Sequence, residues 1–230
     1  MNTTAAYVHR RGELETYFDR TASDAWTQLT SDAPVSKIRA TVRAGRDRMR
    51  ATILSWLPQR LDGRSVLDAG CGTGALAAEA AARGAHVTAV DVSASLIDVA
   101  RDRVGDAAIG FHVGDMLDPA FGDFDHVVAM DSLIHYEPAD VVNALAGLAV
   151  RTHGSIVFTH APRTPALTAM HVAGRLFPRG DRAPAIVPVT HTTLVKTIEA
   201  DPRLAALKVG RTDRIASGFY TSQAVELVRR

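Results

Sequence analysis

From Arg64 onward, short apolar runs alternate with helical stretches, and this alternation limits what the chain can fold into more than any other feature. Ser65 to Ala69, His86 to Val90, Ile109 to Val113, Phe124 to Met130 and Ser155 to Thr159 read as strands. Gly74 to Arg83, Ser93 to Arg103 and Ala139 to Val150 carry helical patterns between them. Apolar runs this short have no polar face to turn to water, so the sheet they form must be covered on both sides. Strands joined by helical crossovers lie parallel. The end of the chain differs: Leu207 to Ile215 and Ala224 to Val228 are separated by a short stretch that opens with Ala216-Ser217-Gly218. A connection that short makes a hairpin and reverses the last strand. The expectation is an α/β fold with a mostly parallel seven-stranded sheet and one antiparallel C-terminal strand.

Two amphipathic helices precede this core. Leu14, Tyr17, Phe18, Ala22, Ala25, Trp26 and Leu29 recur at three- and four-residue steps in the first. The second runs from about Ser36 to Trp56, with Ile38, Val42, Gly45, Met49, Ile53 and Trp56 on one face, and Pro58 ends it. Ala161 to Thr190 holds Pro162, Pro165, Pro178, Pro184 and Pro188 and reads as a lid-like insertion. The chain is therefore expected to be one domain with a helical cover over 1–63, a core over 64–160, the insertion over 161–190, and a helix and hairpin over 191–230.

Composition removes several functions. A net charge of +1 gives no electrostatic footprint for a nucleic acid. The single cysteine, Cys71, leaves no disulfide framework and no cysteine-rich zinc site, and no metal site of the protein's own is expected. The N-terminal stretch has no apolar run before its charges, and no window is apolar enough to span a bilayer. The expected location is the cytoplasm.

The loop after the first strand reads Asp68-Ala69-Gly70-Cys71-Gly72-Thr73-Gly74. Glycines between a strand and a helix let the backbone come close to a ligand. The same spacing fits a dinucleotide fingerprint if Ala75 stands for its last glycine, so the glycines alone do not decide. Asp68 does. A carboxylate there would repel a pyrophosphate, whereas S-adenosylmethionine has no phosphate and carries a cationic amino group. Gly70, Cys71 and Gly72 would supply backbone, the Cys71 thiol filling space and not attacking. Asp91 ends the second strand, with Val92 beyond it, and its two oxygens suit the two ribose hydroxyls; the role of helix cap falls to Ser93. Asp115, with Met116, follows the third strand, where a carboxylate can meet the adenine amino group. Fold and loop together read as a Rossmann-like class I methyltransferase with S-adenosylmethionine as co-substrate.

The fourth strand leads into Asp131-Ser132-Leu133-Ile134-His135-Tyr136. Open α/β sheets bind ligands beyond the carboxyl ends of their strands, so Asp131 is expected at the cofactor and His135 near the transferable methyl. Arg39, Arg43, Arg46 and Arg50 step by four, three and four along the second helix and form a basic stripe, read either as a solvated face or as a binding surface.

Several segments resemble the magnesium-protoporphyrin IX O-methyltransferases of bacteriochlorophyll synthesis. They are Tyr17-Phe18 before Trp26, Val35-Ser36-Lys37, Val42-Arg43-Ala44-Gly45, the Asp68 loop, Leu133-Ile134-His135-Tyr136, Phe158 to Pro165, and Phe219-Tyr220-Thr221-Ser222-Gln223. The resemblance implies methyl transfer to a propionate of a magnesium porphyrin, the magnesium arriving inside the substrate. It implies that Arg43 holds the methionine carboxylate of the cofactor and that Tyr17 and His135 are catalytic, aligning the acceptor. It also suggests two further partners: a porphyrin-carrying subunit of magnesium chelatase, and peripheral contact with the photosynthetic membrane. The remaining alternatives are another small-molecule O-methyltransferase, such as one acting on a quinone-precursor phenol, and a non-catalytic binder of adenosylmethionine or porphyrin. A phenol would require a base, giving His135 a proton-transfer role.

Overall fold

A computed structural model describes residues 4–20, 30, 36–105, 108–163 and 185–230. Two helices come first, α1 (Ala5–Arg20) and α2 (Lys37–Trp56). The sheet and its crossovers follow: β1 (Ser65–Ala69), α3 (Ala75–Ala82), β2 (His86–Asp91), α4 (Ala94–Val104), β3 (Ile109–Val113), β4 (Phe124–Ala129), α5 (Pro138–Ala149) and β5 (Thr152–His160). Helix α6 (His191–Ala200) and the hairpin β6 (Leu207–Ser217) and β7 (Tyr220–Arg229) close the chain. The strands order as β3-β2-β1-β4-β5-β7-β6. Strands β1 to β5 pair in parallel, and β7 is antiparallel to both β5 and β6.

Alternation along each strand divides the core into two layers. Leu67, Val127, Ala129, Ile156 and Phe158 pack on one face of the sheet with Tyr7, Leu14 and Leu145. Val66, Val128 and Val157 pack on the other with Met49, Ile53 and Leu54 from α2. The chain winds outward from β1 to β3 and then resumes on the other side of β1 with β4. The crevice where this order reverses, beyond the carboxyl ends of β1 and β4, is where such a sheet accepts a ligand.

Three differences from the sequence reading matter. Helix α1 begins at Ala5, nine residues before Leu14, because Tyr7 is buried beside Leu14 while its neighbours Val8 and His9 are exposed. One aromatic among charged residues makes too weak a period to announce a helix. In α2, Ser36 caps the first turn through Arg39 N, but Ile38 is 54% exposed and lies off the buried face. Strand β7 starts at Tyr220, so the polar run Tyr220 to Gln223 belongs to the sheet and the turn lies at Gly218-Phe219. The expected apolar positions Ala22, Ala25, Trp26 and Leu29, and the body of the proline-rich insertion, lie outside the described residues.

Candidate active site

A cavity of about 270 Å³ opens at that crevice. The glycine loop forms its floor. Gly70, Gly72 and Gly74 all have left-handed backbones, with φ of 86, 54 and 78°. Gly70 N donates to Val90 O at 2.8 Å and Gly72 N to Asp91 Oδ2 at 2.8 Å, which lashes the loop to the end of β2. Asp91 Oδ1 accepts from Ser93 N at 3.0 Å, and Ser93 Oγ caps α4 by accepting from Leu96 N. Asp91 is thus positioned by backbone donors, with acceptor capacity left on each oxygen for a diol. Val92 lines the same wall.

Asp68 is 1% exposed, and its Oδ2 has no hydrogen-bond partner among the described residues. Burial first, then the neighbouring Asp91 charge, pushes its carboxyl up to about 7. Asp68 lines the cavity, and a buried carboxylate oxygen with no donor is fitted to a cationic ligand group such as the amino group of adenosylmethionine. Burial and the charges of Asp91 and Asp68 also hold the Cys71 thiol well above its ordinary range. It is therefore a protonated filler and not a nucleophile.

This environment sets a pH dependence. A carboxyl whose folded value lies above its ordinary 3.8 binds more protons in the native state, so its contribution to stability is lost as pH rises toward about 7. The cofactor-free protein should lose melting temperature over that interval, and Asp68→Asn should flatten the trend. Affinity for adenosylmethionine should rise over the same interval as Asp68 ionises. A pH-independent affinity measured by calorimetry would separate Asp68 from the amino group.

Asp115 does not face the cavity as the sequence reading expected. Its Oδ1 accepts from Tyr7 OH at 2.8 Å and from Leu117 N at 3.0 Å, and its Oδ2 pairs with Arg11 at 2.6 Å. The physical reason is α1, which brings a phenol and a guanidinium onto that carboxylate. The ends of β3 contribute Gly114 and Met116 to the cavity wall instead. Tyr7 also stacks on Tyr136 with ring centroids 4.8 Å apart, Thr4 Oγ1 donates to Asp140 at 2.6 Å, and Asp19 accepts from Ser93 Oγ at 2.6 Å. Sequence reasoning missed this clasp; each residue is commonplace in isolation, and only the docking of α1 assembles them.

His135 lines the cavity on the short 3₁₀ turn Leu133–His135. Its Nδ1 lies 3.4 Å from Ala185 O, and its ring meets Phe18 edge-on at 6.4 Å. The imidazole is therefore held between α1 and the foot of the insertion. Among the described residues, Leu14 and Phe18 of α1 line the cavity, whereas Tyr17 does not. Tyr17 packs edge-on against Phe18 at 5.2 Å, and burial raises its phenol above the ordinary range.

The arginine stripe faces inward. Arg43, Arg46 and Arg50 all line the cavity, and only Arg39 is on the open surface. Arg50 pairs with Asp47 and Glu79, while Arg46 Nη1 pairs with Asp131 Oδ2 at 2.7 Å. Asp131 lines the cavity, but its carboxylate is filled by Arg46, Thr159, Tyr220 and Ser222. The expectation that this side chain contacts the cofactor gives way, because no acceptor site is left for a ligand.

A mostly parallel sheet with a reversed seventh strand, a glycine loop backed by a buried acid, and a second acid closing β2 define a class I adenosylmethionine-dependent methyltransferase. Comparison with known proteins narrows this. Residues 129–229 match the family described as magnesium-protoporphyrin IX methyltransferase C-terminus, and residues 66–152 match a general methyltransferase domain. The magnesium-protoporphyrin O-methyltransferase of Rhodobacter capsulatus is 50% identical over 96% of this chain and 97% of its own length. That of Synechocystis is 30% identical over 98% of this chain and 99% of its own length. The crystal structure of magnesium protoporphyrin IX methyltransferase from Synechocystis with bound SAH superposes with a TM-score of 0.83 at 26% identity. It covers 96% of this chain and 100% of that one. The chain belongs to the magnesium-protoporphyrin O-methyltransferase family.

Proposed function

We propose that this protein transfers a methyl group from S-adenosylmethionine to a propionate carboxylate of magnesium protoporphyrin IX, giving the monomethyl ester and S-adenosylhomocysteine. The observation that carries this reading is end-to-end similarity: half of the residues match the Rhodobacter enzyme over 96% of the chain, helical cover and C-terminal hairpin included. Bound adenosylmethionine supplies an electrophilic methyl on a sulfonium. Asp68 and Asp91 are assigned to hold its amino group and ribose, and Arg43 is retained as the proposed partner of its carboxylate.

A propionate, with an ordinary pKa of about 4.3, is ionised at neutral pH, so the protein has to orient the acceptor and exclude water. His135 and Tyr17 are assigned to that alignment. Support for His135 is its position at the cavity between Phe18 and Ala185. Tyr17 is one residue from Phe18 and is supported by that adjacency. His135→Ala should lower turnover by roughly ten- to a hundred-fold with adenosylmethionine affinity nearly intact. Tyr17→Phe, which removes only the hydroxyl, should cause a smaller loss of the same kind. Wild-type turnover in both would assign the alignment elsewhere.

The direct test is product mass after incubation with labelled adenosylmethionine and magnesium protoporphyrin. Absence of a methyl ester, under conditions where a phenolic acceptor is methylated, would replace this acceptor with the phenol. The magnesium belongs to the substrate. No helix of the described residues is long and apolar enough to cross a membrane. The reading extends to a porphyrin-carrying subunit of magnesium chelatase as the source of substrate and to peripheral contact with the photosynthetic membrane. Exposed Ile38 and Phe219 at the α2–hairpin junction support such contact, which vesicle co-sedimentation would test.

A further inference from the structure

Four side chains from three segments far apart in the chain converge on one carboxylate. Asp131 Oδ1 accepts from Thr159 Oγ1 at 3.1 Å, from Ser222 Oγ at 3.0 Å and from Tyr220 OH at 3.1 Å; Oδ2 accepts from Tyr220 OH at 3.0 Å and from Arg46 at 2.7 Å. Asp131 N donates to Thr159 Oγ1 at 2.7 Å, so the same threonine ties down side chain and backbone. The Asp131 side chain is 6% exposed and that of Arg46 is 19% exposed. Among the described residues, Asp131 is the one non-glycine with a positive φ, 53°. A left-handed backbone in such a residue persists only where its surroundings over-determine it, and it is found preferentially where geometry serves function.

The consequences run in two directions from this point. Along the chain, the next residues are Ser132, whose Cβ sits against Gly70, and the turn that carries His135. Across the cavity, Arg46 is drawn from α2 onto the wall. Behind the centre, the Tyr220 ring lies flush on α2: a Cβ added at Gly45 would come within 2.5 Å of it. Burial first, and the Asp131 charge second, raise the Tyr220 phenol far above its ordinary range, so it stays a donor. The apolar pattern begins the last strand only at Ala224 and leaves out Tyr220 to Gln223, yet Tyr220 and Ser222 are buried on the sheet face that looks at Asp131.

We infer that Asp131, clamped by Tyr220, Ser222 and Thr159, is the positioning centre of the active site. It fixes the 131–136 loop and with it His135, and it holds Arg46 at the cavity wall, so that an anionic acceptor meets the methyl in line. The inference rests on the proposed methyl transfer to a carboxylate. Asp131 touches neither reactant in this account; it acts through His135 and Arg46.

The test uses Tyr220→Phe, which keeps the ring against Gly45 and removes one donor, and Ser222→Ala, alone and combined. Ester formation is followed at saturating cofactor, S-adenosylhomocysteine affinity is followed by calorimetry, and thermal melting controls for folding. The double variant should lose about ten-fold or more in kcat, because small displacements of aligned groups cost rate steeply. Its cofactor affinity should stay within about two-fold, since Asp68 and Asp91 are untouched. Unchanged kcat would overturn the inference. So would a kcat loss matched by an equal loss of cofactor affinity, which would mark the cluster as part of the cofactor pocket. A double variant that melts below the assay temperature leaves Tyr220→Phe alone to decide by the same kcat criterion. If the wild type forms no ester, the acceptor assignment fails and not the positioning centre, and the variants are then read on the acceptor the wild type does methylate.

Discussion

Gly70→Ala should abolish tight cofactor binding and most turnover. Gly70 has φ +86°, and a Cβ there would lie 2.3 Å from Ser132 Cβ and 3.1 Å from its Oγ. Left-handed backbone costs a residue with a side chain about 1–2 kcal/mol by itself. The clash adds more because Ser132 cannot retreat: it follows Asp131, whose carboxylate and amide are both bound. The loop must therefore move, and the cofactor floor with it. Gly63→Ala provides the comparison. Gly63 has φ +69° and nothing within 4 Å of an added Cβ, so it carries the backbone strain without the collision. Gly63→Ala should lower the melting temperature with adenosylmethionine affinity unchanged. Calorimetry on both variants reads the difference; equal affinities would show that the loop tolerates displacement.

The second large effect is expected at Asp91. Asp91→Ala removes the acceptor for Gly72 N and Ser93 N together with the proposed partner of the ribose hydroxyls. Leaving those groups unpaired should cost on the order of 1–3 kcal/mol of adenosylmethionine binding. The melting temperature should also fall, because the loop loses its tie to β2. Asp115→Asn separates the two acids. If Asp115 serves α1, as its bonds to Tyr7 and Arg11 indicate, cofactor affinity should change little while α1 becomes more open to limited proteolysis. A loss of affinity in Asp115→Asn as large as in Asp91→Ala would return Asp115 to the adenine site.

Much of the fold was legible because its determinants are local. Strands β1 and β3 begin and end at the residues that their apolar runs indicate, and β2 and β4 differ by one residue each. A buried strand is apolar along its whole length, and a crossover helix repeats at three and four, so both announce themselves within ten residues. Ser93 was identifiable as the cap of α4, and Asp91 as a strand-end acid, on the same grounds.

Residues whose neighbours come from elsewhere were illegible. Tyr7 reads as one aromatic in a charged stretch until α1 docks it on Tyr136 and Asp115. Tyr220 and Ser222 stand out by family resemblance but fall outside the apolar strand that begins at Ala224, because a polar run resembles a loop unless something polar is buried opposite it. Helical spacing puts Arg46 and Arg43 on one stripe and the resemblance singles out Arg43; that Arg46 pairs with Asp131 is decided by the fold. Asp131 itself was read as a cofactor contact because a strand-end acid is ordinarily open to the ligand.

The sequence by itself determined the sheet, its reversed last strand, the adenosylmethionine loop and, through segments spread along the chain, the family. These follow from periodicity and from residue types whose chemistry acts over a few positions. The tertiary structure alone decided where each carboxylate spends its acceptor sites: Asp91 on the loop backbone, Asp115 on α1, Asp131 on four side chains from α2, β5 and β7. A carboxylate's role depends on which donors reach it first, and the side-chain donors lie 28 to 108 residues away along the chain for Asp131 and Asp115.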